Sequence, residues 1–151
     1  MNYLIDTCVP SELMRPTPNQ QVLDWFDTVE ESSIYVSLFS VGEIRRGILR
    51  LPVSKRREVL SAALEDFVLR PFAGRFVSWN LQTTEIWARI YTDGEADGRC
   101  PSLQDSIIAA TALSHGMAMV TRNVADFQFA GLTVINPFEK NPFYTAQEGG
   151  K

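Results

Sequence analysis

Tyr3-Leu4-Ile5-Asp6 decides the fold: an apolar run short enough for a buried strand, then a carboxylate where that strand must end. Met117-Ala118-Met119-Val120, near the other end of the chain, repeats the pattern with no polar member. Strands apolar on both sides are covered on both sides, as in a parallel sheet held between helices. Working outward, Ile34 to Leu38, Phe76 to Trp79 and Leu132 to Ile135 read as further strands, with the fourth running from Ala118 to Thr121. The segments between them carry helical spacing: Val22, Trp25, Phe26 and Val29 fall at i, i+3, i+4 and i+7. Short strands alternating with helices give an α/β fold of three layers, α/β/α, joined by right-handed crossovers.

The remaining helices follow from their caps and stops. One forms near Ser11 to Met14, and Thr17-Pro18 supplies a cap and a first-turn proline for the next. Val41, Ile44, Ile48 and Leu51 line one side of a helix that Pro52 stops. Ser54 caps a long helix with Val59, Leu60, Ala63, Leu64, Phe67 and Val68 inward. Asn80 starts a helix that buries Ile86, Trp87, Ile90 and Tyr91. Asp93 to Pro101, with two glycines, reads as a loop, and Ser102 opens an alanine-rich helix ending at His115-Gly116. Residues 1–140 make a single domain, with 141–151 expected to be a flexible C-terminal tail.

The bulk properties exclude several classes. A chain of 151 residues buries roughly 70% of its unfolded surface, enough for one core without staples. With 45% hydrophobic residues and a net charge of -4, disorder is not the main state. No apolar run approaches the ~18 residues of a spanning helix, so no membrane role is expected. The N-terminus lacks a basic region and a long apolar stretch, so no signal peptide is expected. Cys8 and Cys100 make no disulfide framework, and the expected compartment is a reducing cytoplasm. A pI near 5.0 argues against non-specific nucleic-acid binding, so any such activity needs a local site and a cation.

In a doubly covered parallel sheet, ligands sit beyond the carboxyl ends of the strands. Four acids fall there. Asp6 follows the first strand, and Glu43 follows the second inside Ser40-Val41-Gly42-Glu43. Asp126 follows the fourth inside Asn123-Val124-Ala125-Asp126, and Asp105 opens the preceding helix inside Ser102-Leu103-Gln104-Asp105. Taken singly, each reads as a helix cap or a dipole partner. Taken together at one sheet edge, they repel and call for a cation. Oxygen donors without a His or Cys cluster suit Mg2+ or Mn2+ rather than zinc, and such a site suits phosphate chemistry. His115, the only histidine, reads as a C-terminal dipole partner.

The motifs Leu4-Ile5-Asp6-Thr7-Cys8-Val9, Ser37-Leu38-Phe39-Ser40-Val41-Gly42-Glu43-Ile44-Arg45-Arg46-Gly47, Asp105-Ser106-Ile107-Ile108-Ala109-Ala110-Thr111-Ala112, Val120-Thr121-Arg122-Asn123-Val124-Ala125-Asp126-Phe127 and Val134-Ile135-Asn136-Pro137 occur in that order. Together they resemble the PIN-domain ribonucleases, and within them the VapC/FitB-like toxins of type II toxin–antitoxin pairs. The resemblance runs from about Tyr3 to Phe138. It implies a PIN-like sheet of about five parallel strands in the order 3-2-1-4-5. It implies a Mg2+-dependent endoribonuclease leaving 5′-phosphate and 3′-hydroxyl ends, a cognate antitoxin partner and a toxin homodimer. By motif, Asp6, Glu43 and Asp105 match the family's core acids. Asn123 stands where some members have aspartate, so Asp126 is the candidate for the fourth catalytic and metal-holding charge. Cys8 stands where many members have asparagine.

Thr7, Thr121, Asn123, Arg122 and Arg46 are the candidate contacts to RNA or phosphate, with Arg15, Arg45 and Arg99 as further basic neighbours. Trp25, Trp87 and Phe67 read as core rather than as stacking platforms for bases. The competing reading is a non-catalytic PIN-like module that binds a partner protein, its acids serving only as caps. A covalent phospho-aspartate enzyme is disfavoured, because position 8 is cysteine where a second aspartate is wanted. No Gly-rich dinucleotide fingerprint follows the first strand.

Overall fold

β1 (Tyr3–Ile5) forms the centre of the sheet, since Leu4 and Ile5 are buried on opposite faces. The computed structural model describes residues 1–140 and the backbone of residues 143 and 144. On one side β1 pairs in parallel with β2 (Ile34–Ser37), Tyr3 opposite Ile34. On the other it pairs in parallel with β4 (Ala118–Val120), Tyr3 opposite Ala118. β3 (Phe76–Val77) extends the sheet beyond β2, and β5 (Val134–Ile135) extends it beyond β4. The five parallel strands therefore run in the order 3-2-1-4-5. A sixth strand, β6 (Phe143–Tyr144), adds antiparallel to β5. It falls within the stretch expected to be a flexible tail; the other residues of that stretch from 141 onward lie outside the described ones.

The period of two along β1 splits the core into two. Ile5 joins Val9, Val22, Trp25, Ile44, Ile48 and Leu64 on the face covered by the first four helices. Those helices are α1 (Cys8–Leu13), α2 (Gln20–Thr28), α3 (Leu38–Leu49) and α4 (Lys55–Leu64). Leu4 joins Ile108, Ala109, Ala112, Met119 and Phe127 on the other face. That face is covered by α5 (Leu81–Ala96) and α6 (Leu103–Ser114). The alanines of α6 let it lie close to the sheet, and Gly116, at φ 64°, ends the helix after its C-cap His115.

Several local expectations change. Asn19, not Thr17, caps α2, its side chain accepting the Gln21 N–H. Ser37 caps α3 by accepting the Phe39 N–H, so Ser40 and Glu43 lie inside the helix and no capping box joins them. The 93–101 segment is not all loop: α5 continues to Ala96. Gly94 lets the chain fold back against the end of α5, because a Cβ there would stand 2.7 Å from Pro101 Cδ and 2.9 Å from the Arg99 carbonyl oxygen. Val59 and Phe67 are about half exposed rather than inward. The helix after Ser54 passes into a π turn at Glu65–Leu69, which rotates the facing of its last residues. Among the described residues no helix is long and apolar enough to cross a membrane.

Candidate active site

The strand order reverses between β1 and β4, and the candidate site begins at their carboxyl ends. Asp6 extends the pairing there, its N–H donating to the Val120 carbonyl at 2.8 Å. Its side chain is 5% exposed. Oδ1 accepts the Thr7 N–H at 2.8 Å, and Oδ2 accepts the Thr121 hydroxyl at 2.8 Å. Thr121 is fully buried and in turn accepts the Asn123 N–H at 3.0 Å. Cys8 Sγ stands 3.8 Å from both Asp6 Oδ2 and Thr121 Oγ1.

Thr7 joins this centre to α3. Its hydroxyl donates to Glu43 Oε1 at 2.7 Å and lies 2.9 Å from Ser40 Oγ. In both contacts Thr7 is the donor, so its one proton is shared between the Glu43 carboxylate, the stronger acceptor, and Ser40 Oγ. Ser40 and Glu43 share a helix face at i and i+3, which is why both reach one threonine. Because β2 runs directly into α3 at Ser37, that face is turned towards the end of β1.

Asp105 enters from the first turn of α6, where Ser102 caps its N–H at 3.1 Å. Asp126 lies exposed in a 3-10 turn at Val124–Phe127 after β4, and the Asn123 side chain makes no cap there. Burial pushes the Asp6 pKa up; the Thr121 and Thr7 hydrogen bonds oppose this, and the charges of Asp105 and Glu43 add to it. Burial also raises Asp105, with Ser102 opposing and the Asp126 charge adding. Cys8 is raised by burial and by the Asp6 charge, so its thiol keeps its proton and is a poor nucleophile.

The structure thus brings Asp6, Glu43 and Asp105 within electrostatic reach of one another, with Asp126 beside Asp105. They do not form a closed cage: among the described residues no three His, Cys, Asp or Glu side chains converge as a ready metal group. An all-oxygen, anionic and partly open donor set fits a cation that keeps part of its water shell and is held through one or two carboxylates, as Mg2+ is. The capping explanation fails for Glu43, which lies past the first turn of α3, and for Asp6, which ends a strand.

The other sequence candidates divide. Thr7 and Thr121 are internal struts between the acids. Arg122 is half exposed and lies over the Phe138 ring, 3.8 Å from Cζ to the ring centroid. Asn123 is exposed at the rim, and Arg46 is exposed on α3 one turn after Glu43. His115 Nδ1 lies 2.9 Å from the Thr111 carbonyl at the opposite end of α6, about 15 Å along the helix from Asp105. Glu12, unmarked in the sequence, is buried beside the site. A cleft of about 360 Å3 opens from Thr7 and Glu43 and is lined also by Ser11, Arg15, Ile44 and Leu60.

The PIN domain model matches residues 3–129. The chain is 40% identical to plasmid stability protein StbB of Pseudomonas syringae pv. tomato, over 90% of this chain and 98% of the relative. It is 36% identical to VapC ribonuclease Y4jK of Sinorhizobium fredii, over 90% and 97%. Toxin FitB of Neisseria gonorrhoeae is also 36% identical, over 89% and 97%. The solved FitAcB structure from Neisseria gonorrhoeae superimposes with a TM-score of 0.81 at 35% identity, covering 91% of this chain and 99% of that one.

Proposed function

This chain belongs to the PIN-domain family, beside its VapC and FitB members, and on that premise we propose that it is a Mg2+-dependent endoribonuclease acting as the toxin of a toxin–antitoxin pair. The observation that carries the chemistry is the buried Asp6 carboxylate, made less acidic by burial and by the nearness of Asp105 and Glu43 from other elements. A fold that gathers anions from remote segments around a buried carboxylate is arranged for a cation. The relatives' names supply the substrate class and the biological setting: a ribonuclease in one, a toxin in another.

In this reading Asp6, Glu43 and Asp105 hold the ion, with Asp126 beside them. When bound, Mg2+ offsets phosphate charge and makes water acidic enough to attack phosphorus near neutral pH. The chain's own part is positional. Thr121 and the Thr7 N–H fix both oxygens of Asp6, and the Thr7 hydroxyl fixes Glu43. Asn123 at the rim is placed to donate to a phosphate oxygen. The site lies open at a sheet edge, which suits single-stranded or looped RNA better than a duplex interior. A cognate antitoxin that covers the acids, and a homodimer, complete the proposal.

Purified protein with Mg2+ is expected to cut single-stranded RNA, leaving 5′-phosphate and 3′-hydroxyl ends. Asp105→Asn is expected to abolish cutting with the melting curve retained. No cleavage by the parent, undiminished cleavage by Asp105→Asn, or a 2′,3′-cyclic phosphate among the first products would overturn the reading.

A further inference from the structure

Glu12 is a charged side chain only 6% exposed that the acid cluster does not use. A carboxylate so placed needs partners, and it has three. Its Oε1 accepts the Asn19 N–H at 2.9 Å. Arg15 Nη1 lies 3.3 Å from both of its oxygens, and Arg122 Nη2 lies 4.0 Å from Oε2. Arg15 comes from the turn after α1, and Arg122 from the end of β4, so a single buried anion holds together two arginines from separate elements. The arrangement is not closed on itself. The arginines remain 63% and 53% exposed, and two cations against one anion leave a net positive charge facing solvent. A guanidinium has five N–H donors, and most of these stay free to meet a ligand.

The pair lies next to the acids. Arg15 lines the same cleft as Thr7 and Glu43. Arg122 follows Thr121 directly, is held over the Phe138 ring, and acts electrostatically on Cys8, whose sulfur touches Asp6. In a chain of pI near 5.0, a polyanion gains nothing from the overall field and is repelled by the acid cluster itself. Any attraction has to be local, and arginine forks match phosphate oxygens in geometry as well as in charge.

We propose that Arg15 and Arg122, gathered by Glu12, form a seat for an RNA backbone phosphate next to the one that is cut, with Glu12 as a positioning residue acting through them. This rests on the ribonuclease reading above and adds a subsite to it.

The test separates binding from cleavage. In an Asp105→Asn background with Mg2+ present, the affinity for a labelled single-stranded RNA oligonucleotide is measured as salt is raised. Arg15→Met and Arg122→Met are each expected to weaken binding about fivefold to tenfold. Each is also expected to reduce the slope of log affinity against log salt, and the double variant by about 0.7, the value of one lost phosphate contact on a single strand. With Asp105 intact, Glu12→Gln is expected to raise KM several-fold with little change in kcat. It is expected to have no further effect in the Arg15→Met/Arg122→Met double variant. A merely structural glutamate would lower activity equally in both backgrounds and leave the salt slope alone. The seat is overturned if the arginine variants keep the parental slope, or if Glu12→Gln acts undiminished without the arginines. Cleavage by the parent together with either result leaves the nuclease reading standing. Absence of both cleavage and RNA binding removes the two together.

Discussion

Replacing Thr121 by valine removes one oxygen from the least exposed point of the site while keeping the side chain's shape. The hydroxyl donates to Asp6 Oδ2 at 2.8 Å and accepts the Asn123 N–H at 3.0 Å. A hydrogen bond to a charged group contributes about 1.5–3 kcal/mol. Asn123 is exposed, so its N–H turns to water and adds little to the loss. With Asp6 ionised, the expected cost is therefore about 2 kcal/mol, or a fall in Tm of about 4–8 °C for a chain of this size. The pH dependence gives the sharper check. The Asp6 pKa is already raised, so its contribution to stability is complete below about pH 4 and is lost as pH rises through the folded value. Thr121 draws that value back down, and deleting the hydroxyl raises it further. The penalty of Thr121→Val must then grow with pH, smallest near about pH 4 and complete only once pH has passed the folded value. Thr121→Ser loses a methyl instead, about 1 kcal/mol, and its cost is expected to be the same at both ends. Urea unfolding of the three proteins across this range, with chelator present, measures both quantities. Equal stability of parent and Thr121→Val at the alkaline end of the range, or a penalty that does not shrink towards acid, would refute the assignment of that hydroxyl to the Asp6 carboxylate.

Other outcomes follow from the same structure. Asp6 and Asp105 both hold protons more tightly than exposed aspartates, so Mn2+ binding must displace them. Calorimetry should find weaker binding and greater proton release near about pH 5 than near about pH 8, and the heat should disappear in Glu43→Gln/Asp105→Asn. Gly94→Ala puts a methyl 2.7 Å from Pro101 Cδ and 2.9 Å from the Arg99 carbonyl oxygen. A loss of about 1–3 kcal/mol is expected in urea unfolding, although alanine is the better helix former. Phe127 is fully buried in the core between α6 and the sheet, and Phe127→Ala should lower stability by about 3–5 kcal/mol in the same assay.

The fold was legible where local and long-range forces agree. Leu4 and Ile5 must both be buried, and a strand that must be covered on two faces admits few architectures. The caps that were read correctly, Ser54, Asn80 and Ser102, are those whose side chains accept the N–H three residues on. The misreadings arise where a distant contact decides. Ser40-Val41-Gly42-Glu43 has the spacing of a capping box, but Ser37, one turn earlier, takes the cap, and this frees Ser40 and Glu43 to meet Thr7. Gly94 looks like a break in α5 until Pro101 is seen to pack against it. Phe67 keeps the helical period of Leu60 and Leu64, and only the π turn at Glu65–Leu69 shows why it faces solvent.

The site divides along the same line. Asp6, Glu43 and Asp105 could be found because each lies at a position that topology alone brings to the carboxyl edge of the sheet. Glu12 carries no such mark. It occupies α1 among ordinary helix residues, and in the sequence it is indistinguishable from a solvated acid. Its polar partners are the Asn19 amide, Arg15 and Arg122, and of these only the first two are near it along the chain. The difference has a physical origin. A carboxylate that binds a cation can be placed by backbone geometry, because strand ends converge whatever the side chains do. A carboxylate that orients cations depends on where long, flexible side chains come to rest, and that is set by partners such as Phe138 beneath Arg122. The anionic half of this site is therefore written in the order of its strands, whereas its cationic half exists only once the chain has folded.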